Sequence, residues 1–145
     1  MTVSHLLFSK LLVAVDGSES AKRAFIKSVY LAKQCKSRLD IIHVVLGSTY
    51  GGDSAATFLL IEELKERGRK LLEDYKTQAN RDGVQPETLL EVGDHAQVII
   101  DIANKEGYDL IIMGSRGLSL FKDLLLGSVS FKVMHHARCA VMVVR

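Results

Sequence analysis

Apolar and polar positions along this chain alternate between two rhythms. Leu11-Leu12-Val13-Ala14-Val15 is a continuous apolar run, the pattern of a strand buried on both faces of a sheet. It ends in Asp16-Gly17-Ser18-Glu19-Ser20. Ala21, Ala24, Phe25, Ser28, Val29, Ala32 and Cys35 then recur at spacings of three and four, which predicts a helix. Leu39 to Leu46, with Ile41, Ile42, Val44 and Val45, predicts a second strand, and Gly47 to Ala56 (GSTYGGDSAA) reads as a loop. From Thr57 to about Arg81 a long helix fits. Ile61, Leu64, Gly68, Leu71, Leu72, Tyr75 and Ala79 share one face, with Glu62, Lys65, Glu66, Arg69 and Lys70 largely opposite. Asp82-Gly83 stops it. Glu87 to Val92 is a weaker third strand. Gly93-Asp94 leads into a helix carrying Ala96, Ile99, Ile100 and Ala103, which Gly107 ends. Leu110 to Met113 is the fourth strand, Ser128 to about His136 the fourth helix, and Ala140 to Val144 the fifth strand.

Strict alternation of strand and helix implies an α/β fold: a doubly wound, five-stranded parallel sheet with helices on both faces and right-handed crossovers. Such a sheet reverses its winding somewhere, and ligands bind at the carboxyl ends of the strands at that reversal. If strands one to three run one way and strands four and five the other, the loops after Val15 and Met113 border one crevice.

Composition adds exclusions. The chain has 145 residues, 48% of them hydrophobic and 25% charged, as in an ordinary soluble domain with a real core. A net charge of +2 with scattered Lys and Arg gives no nucleic-acid footprint. No apolar run nears the roughly 20 residues of a membrane span, so no membrane partner is expected. The start, MTVSHLLFSKLLVAVD, lacks a basic region and runs straight into a core strand, so it reads as mature protein. Cys35 and Cys139 have no metal-ligand or redox spacing and no evident activating partner, and free thiols fit the cytoplasm.

The stretch DLIIMGSRGLSLFKDLLLGSVS, Asp109 to Ser130, carries the candidate chemistry. A strand runs into Gly114 and Gly117, and Gly127-Ser128 opens a helix. Glycines allow close backbone approach, and a helix start offers unpaired N–H groups and a positive dipole end to a phosphate. The spacing is neither a Walker-type loop, since no Gly-Lys-Ser/Thr follows, nor the dinucleotide fingerprint.

The full pattern, Gly-x2-Gly-x9-Gly-Ser, resembles that of the universal stress protein family, in its ATP-binding branch. The resemblance extends over Val13-Ala14-Val15-Asp16-Gly17-Ser18, Ile42-His43-Val44, Asp109 to Gly117 and Leu126-Gly-Ser-Val-Ser. It implies a single nucleotide-binding domain over 1–145, strand order 3-2-1-4-5, and a homodimer through the last strand, Ala140 to Val144. ATP is the implied cofactor, with an accompanying Mg²⁺ or Mn²⁺ left open. In the implied site, Asp16 lies beside adenine and ribose, and Ala14, Val15 and Val44 line the base pocket. Met113 flanks the adenosine, and Gly114, Ser115, Arg116 and Gly117 wrap ribose and phosphates. Gly127, Ser128, Val129 and Ser130 hold the phosphates through backbone N–H groups and two hydroxyls. Position 14 is Ala where some nucleotide-binding relatives have Pro, a changed pocket wall. The implied function is that of a dimeric nucleotide-dependent regulator or sensor in stress response. The alternative is a slow ATPase or phosphotransferase at the same site. The absent P-loop lysine, and the lack of a second acidic residue aimed at the loop, favour holding the nucleotide over turning it over.

Several residues admit plainer readings. Asp16 or Ser18 can cap the first helix; Ser18 suits the cap better, which leaves Asp16 for a ligand. A cap at Ser128 is compatible with phosphate binding. Arg116 can reach a phosphate or stay solvated, and the solvated reading is preferred. Asp94 with Gln97 is a capping pair. His43 reads as a hydrogen-bonded core or crevice-edge residue. His135 and His136 read as a solvated helix end, since neighbours on a helix point about 100° apart. The insert LSLFKDLLL is either a short helix on the domain or a cover for the ligand or a partner subunit. The apolar last strand at the sheet edge, with only Arg145 beyond it, invites pairing with a second copy.

Overall fold

A computed structural model describes residues 8–47, 54–116 and 126–145. Its elements are β1 (Lys10–Ala14), α1 (Glu19–Cys35), β2 (Arg38–Leu46), α2 (Ala55–Arg81), β3 (Glu87–Gly93), α3 (His95–Glu106), β4 (Leu110–Gly114), α4 (Ser128–His136) and β5 (Ala140–Val144). All strand pairs are parallel, and the sheet order is β3-β2-β1-β4-β5. The expected doubly wound α/β fold is therefore present, and its winding reverses between β1 and β4.

The two faces of the sheet are filled separately. Leu11, Val13 and Val15 pack with Ala24, Phe25 and Val29 of α1 and with Leu72, Tyr75 and Ala79 of α2. Leu12, Ile42, Val44, Ile111 and Met113 pack with Ala96, Ile99, Ile100 and Ala103 of α3 and Val133 of α4. Alternate residues of a strand point to opposite faces, so unbroken apolar runs are what a sheet covered on both sides requires.

Element ends differ from the sequence expectation where tertiary contacts decide. Val15 lies beyond β1, although its N–H still donates to Ile42 O at 2.9 Å. The expected loop to Ala56 overruns the start of α2: Ser54 caps that helix by accepting from Thr57 N at 3.1 Å, and Ala55 is already helical. The apolar stripe of α2 also outruns the sheet. At 27 residues the helix is about 40 Å long, against about 30 Å for β2. Its first buried residue is Gly68, and Phe58, Leu59 and Leu60 are exposed. Gly117 and residues 118–125 of the insert lie outside the described residues. His135 and His136 are exposed in the last turn of α4, as expected. Among the described residues no helix is long and apolar enough to cross a membrane.

Asp40 and Tyr75 each carry a polar group into the interior. Asp40 of β2 is 1% exposed. It accepts hydrogen bonds from Tyr108 Oη at 2.6 Å, Glu87 N at 3.3 Å and Arg38 Nε at 3.3 Å. Tyr75 is 4% exposed, and its hydroxyl has no hydrogen-bond partner among the described residues. Burial, and then the charges of Asp16 and Glu19, push its phenol up to about 12. Burial, and then the bond to Asp40, raises Tyr108 as well.

Asp40→Ala strands the Tyr108 hydroxyl and the Glu87 amide, so urea unfolding is expected to give a loss of about 3 kcal/mol at unchanged slope. Tyr75 and Tyr108 hold their protons more tightly folded than unfolded. Their contribution is intact below pH 10 and is lost as pH rises, for Tyr75 through about 12. Tyr75→Phe is expected to flatten that alkaline decline in stability. At pH 7 it should leave stability equal or raised by up to about 1 kcal/mol, because no bond is lost.

Candidate functional site

The carboxyl ends of β1 and β4 border the reversal, and three chain segments converge there. Val15 ends the first. Its N–H donates to Ile42 O, and its carbonyl accepts from His43 Nδ1 at 2.8 Å. Asp16 follows, half-buried, with Oδ1 accepting from Ser18 N at 2.9 Å. Gly17 takes the turn at φ +84°, a conformation that side chains disfavour. Ser18 then caps α1, its hydroxyl accepting from Ala21 N at 3.2 Å. The cap is thus Ser18. Among the described residues, Asp16 Oδ2 has no hydrogen-bond partner.

The second segment is Met113 to Arg116. Gly114 lies against the first turn of α1. A Cβ there would stand 2.7 Å from Ala21 N and 2.8 Å from Ser20 C, closer than any real contact, so only glycine fits. Ser115 is 4% exposed; its N–H donates to Val144 O at 2.7 Å, which ties the loop to β5. Ser20 Oγ donates to Arg116 O at 2.6 Å and fastens the same loop to α1. The Arg116 side chain is exposed.

The third segment is the start of α4. The Ser115 carbonyl accepts from Gly127 N at 2.5 Å and from Ser130 Oγ at 2.9 Å, which seats the helix beside β4. Gly127 is the N-cap and makes no side-chain cap bond, unlike Ser18, Ser54 and Asp94 at the other three helix starts. Ser128 is therefore the first helical residue and not the cap. The first-turn amides of Ser128, Val129 and Ser130 have no carbonyl in their own helix to bond, as at any helix start. They form a set of donors with the positive dipole end behind them.

Most of the residues expected in the site converge, with differences of role. Ala14, Val44, Met113 and Val129 belong to one apolar cluster on the α3–α4 face. Val15 does not line a wall with them, because strand alternation sends its side chain into the α1–α2 core, 3% exposed. Its backbone is what borders the crevice. Ser128 is exposed. Ser130, by contrast, is 2% exposed and donates to Ser115 O and Gly127 O. Its proton is thus spent inside the loop and not on a ligand. Gly117 lies outside the described residues. Sequence reasoning missed Ser20 as the tie between α1 and the β4 loop. The available signal was a serine in the first turn of α1, four positions before Ala24 of its apolar stripe. Among the described residues no three His, Cys, Asp or Glu side chains gather closely enough to hold a metal ion.

Comparison with known proteins agrees with this architecture. The family model described as the universal stress protein family matches residues 7–145. The universal stress protein YxiE of Bacillus subtilis is 37% identical over 96% of this chain and 100% of its own length. Universal stress protein UspA from Lactobacillus plantarum superimposes with a TM-score of 0.90 at 25% identity, covering 95% of this chain and 98% of the other. A universal stress protein family protein from Arabidopsis thaliana, solved with AMP bound, gives a TM-score of 0.70 at 28% identity, over 94% of this chain and 90% of the other. With the family model matched over residues 7–145 and a 37% identical relative aligned over nearly its whole length, the chain belongs to the universal stress protein family.

Proposed function

We propose that the chain is a single nucleotide-binding domain over 1–145 that holds ATP between the ends of β1 and β4. On this reading it acts in the cytoplasm as a dimeric, nucleotide-dependent regulator in stress response. The observation that carries this reading is the start of α4. Gly127 leaves the first-turn amides without a side-chain cap, and the Ser115 carbonyl fixes them beside β4, across from Asp16. A phosphate group is the ligand such donors suit, and the family resemblance makes the triphosphate of ATP the choice. The AMP in the Arabidopsis relative supports an adenine nucleotide.

Each group then has a task. Asp16 Oδ2 accepts from ribose hydroxyls, and the edges of Ala14, Val44 and Met113 meet the base. The amides of Ser128, Val129 and Ser130 and the exposed Ser128 hydroxyl donate to phosphate oxygens. Ser115, Gly114 and Val15 supply backbone walls, and Ser130 keeps the loop in register. Arg116, its carbonyl held by Ser20, continues this wall toward the phosphates, and the family resemblance assigns Gly117 to the same phosphate-wrapping stretch. An ion accompanying the nucleotide, Mg²⁺ or Mn²⁺, would add charge neutralisation at the phosphates. The chain's own groups bind and orient rather than transfer a proton, so the reading is retention, not efficient hydrolysis. The second partner is another copy. The edge of β5 carries half-buried Val141, Met142 and Val143, and a flat apolar edge is stabilised by pairing.

Mass spectrometry of freshly purified, denatured protein is expected to release ATP or a related adenine nucleotide. No release, together with no heat of binding in calorimetry, removes the reading. Gly127→Val puts a side chain among the amides. It is expected to abolish nucleotide binding at a stability cost of only about 1 kcal/mol, and unchanged affinity would mean that the loop holds no phosphate. Sedimentation at tens of micromolar is expected to give twice the 16.0 kDa chain mass, and a monomer at that concentration rules out the β5 dimer.

A further inference from the structure

The geometry points to His43 as the positioning residue of the site. Its ring takes hold of the backbone immediately before Asp16 and is itself clamped from α2 by Gly68. Three observations meet in this inference. First, β1 ends at Ala14, yet Asp16 has to be aimed across the crevice. The intervening Val15 is held at both backbone groups: its N–H by Ile42 O at 2.9 Å and its carbonyl by His43 Nδ1 at 2.8 Å. A carbonyl only accepts, so Nδ1 carries the proton, and the tautomer follows from the contact.

Second, the ring lies closely against α2 at Gly68. A Cβ at Gly68 would lie 2.7 Å from His43 Cδ2, 3.3 Å from Nε2 and 2.8 Å from Leu90 Cδ1. Gly68 sits inside a 27-residue helix, where glycine costs about 1 kcal/mol relative to alanine. Its φ is not in the left-handed range, so the backbone does not demand glycine there. The neighbouring ring does. Third, Asp16 Oδ1 is already engaged by Ser18 N, so the carboxylate turns with the backbone that His43 holds. His43 touches no ligand in this account. It acts through Val15 on Asp16, and through Gly68 it connects α2 to the crevice.

The effect on affinity rests on the nucleotide reading above; the effect on the loop does not. Asparagine places its amide N–H where Nδ1 stands, while glutamine places its amide near Nε2. His43→Asn should therefore keep the bond to Val15, and His43→Gln should lose it at similar polarity. Calorimetry with ATP is expected to give His43→Gln about tenfold weaker binding and His43→Asn within about threefold of the parent. Hydrogen exchange in the nucleotide-free protein is expected to speed up about tenfold at the Ser18 amide in His43→Gln and to stay near parental in His43→Asn. Gly68→Ala, which reaches Val15 only through the His43 ring, is expected to mimic His43→Gln. It should add little in the double variant, because both break one contact. Melting temperatures of the two His43 variants should agree, which separates positioning from general destabilisation. Equal exchange rates at Ser18 in His43→Asn and His43→Gln would overturn the inference. If the parent protein binds no ATP, the proposed function falls, while the exchange comparison still decides the role of His43.

Discussion

The end of β4 is a backbone wedged between the first turns of two helices, and the crevice depends on that wedge. On one side Gly114 touches the start of α1 so closely that no side chain fits, and Ser20 clasps Arg116 O. On the other side the Ser115 carbonyl receives both an amide and a hydroxyl from the start of α4. From the strand side, Ser115 N is bonded to Val144 O of β5. Buried peptide groups require partners. Here the partners of Ser115 and Arg116 come from α1, α4 and β5, so the same bonds that satisfy the backbone fix the mouth of the site.

Strand and helix identity was legible because both faces of the sheet are covered: an unbroken apolar run such as Leu11 to Val15 is what a strand covered on both sides requires. The crevice was legible from the glycine spacing and from the order of elements. What escaped were contacts that sequence neighbours do not announce. Ser20 meets Arg116 across 96 positions, and Tyr108 meets Asp40 across 68. Nothing in the hydrophobic pattern marks Asp40, and only the approach of Tyr108 and Glu87 makes it a structural centre. Val15 was expected beside Ala14 in one wall. A strand cannot do that with consecutive side chains, and the period-two rule was sufficient to separate them. Ser130 was expected to serve phosphate by its hydroxyl, but whether a hydroxyl faces solvent or a carbonyl depends on the fold of the preceding loop.

The buried part of α2 is shorter than its apolar stripe for a related reason. Periodicity measures which face of a helix is apolar, not how far the opposing sheet extends. Ile61 and Leu64 lie on the correct face but are only half-buried, because the helix projects past the strands before Gly68. Contact with the sheet begins where Gly68 meets His43 and Leu90. That contact is made by a residue with no side chain, so hydrophobic patterning could not mark it.

Three glycines near the crevice have three different causes, and the difference bears on function. Gly17 is set by conformation, at φ +84° with open space around it. Gly114 is set by crowding against α1. Gly127 is not set by conformation, since φ −74° and ψ 163° suit any residue. As a helix cap, glycine is weaker than serine or aspartate by only a few tenths of a kcal/mol. A serine or aspartate cap would occupy one of the first-turn amides, as Ser18, Ser54 and Asp94 do elsewhere in this chain. Glycine leaves them open at little cost to the helix. An anion at a helix start contributes about 0.3–1 kcal/mol through the dipole alone, which is enough to offset what the missing cap gives up. The fold therefore needs no side chain at position 127, and a ligand can do the capping in its place.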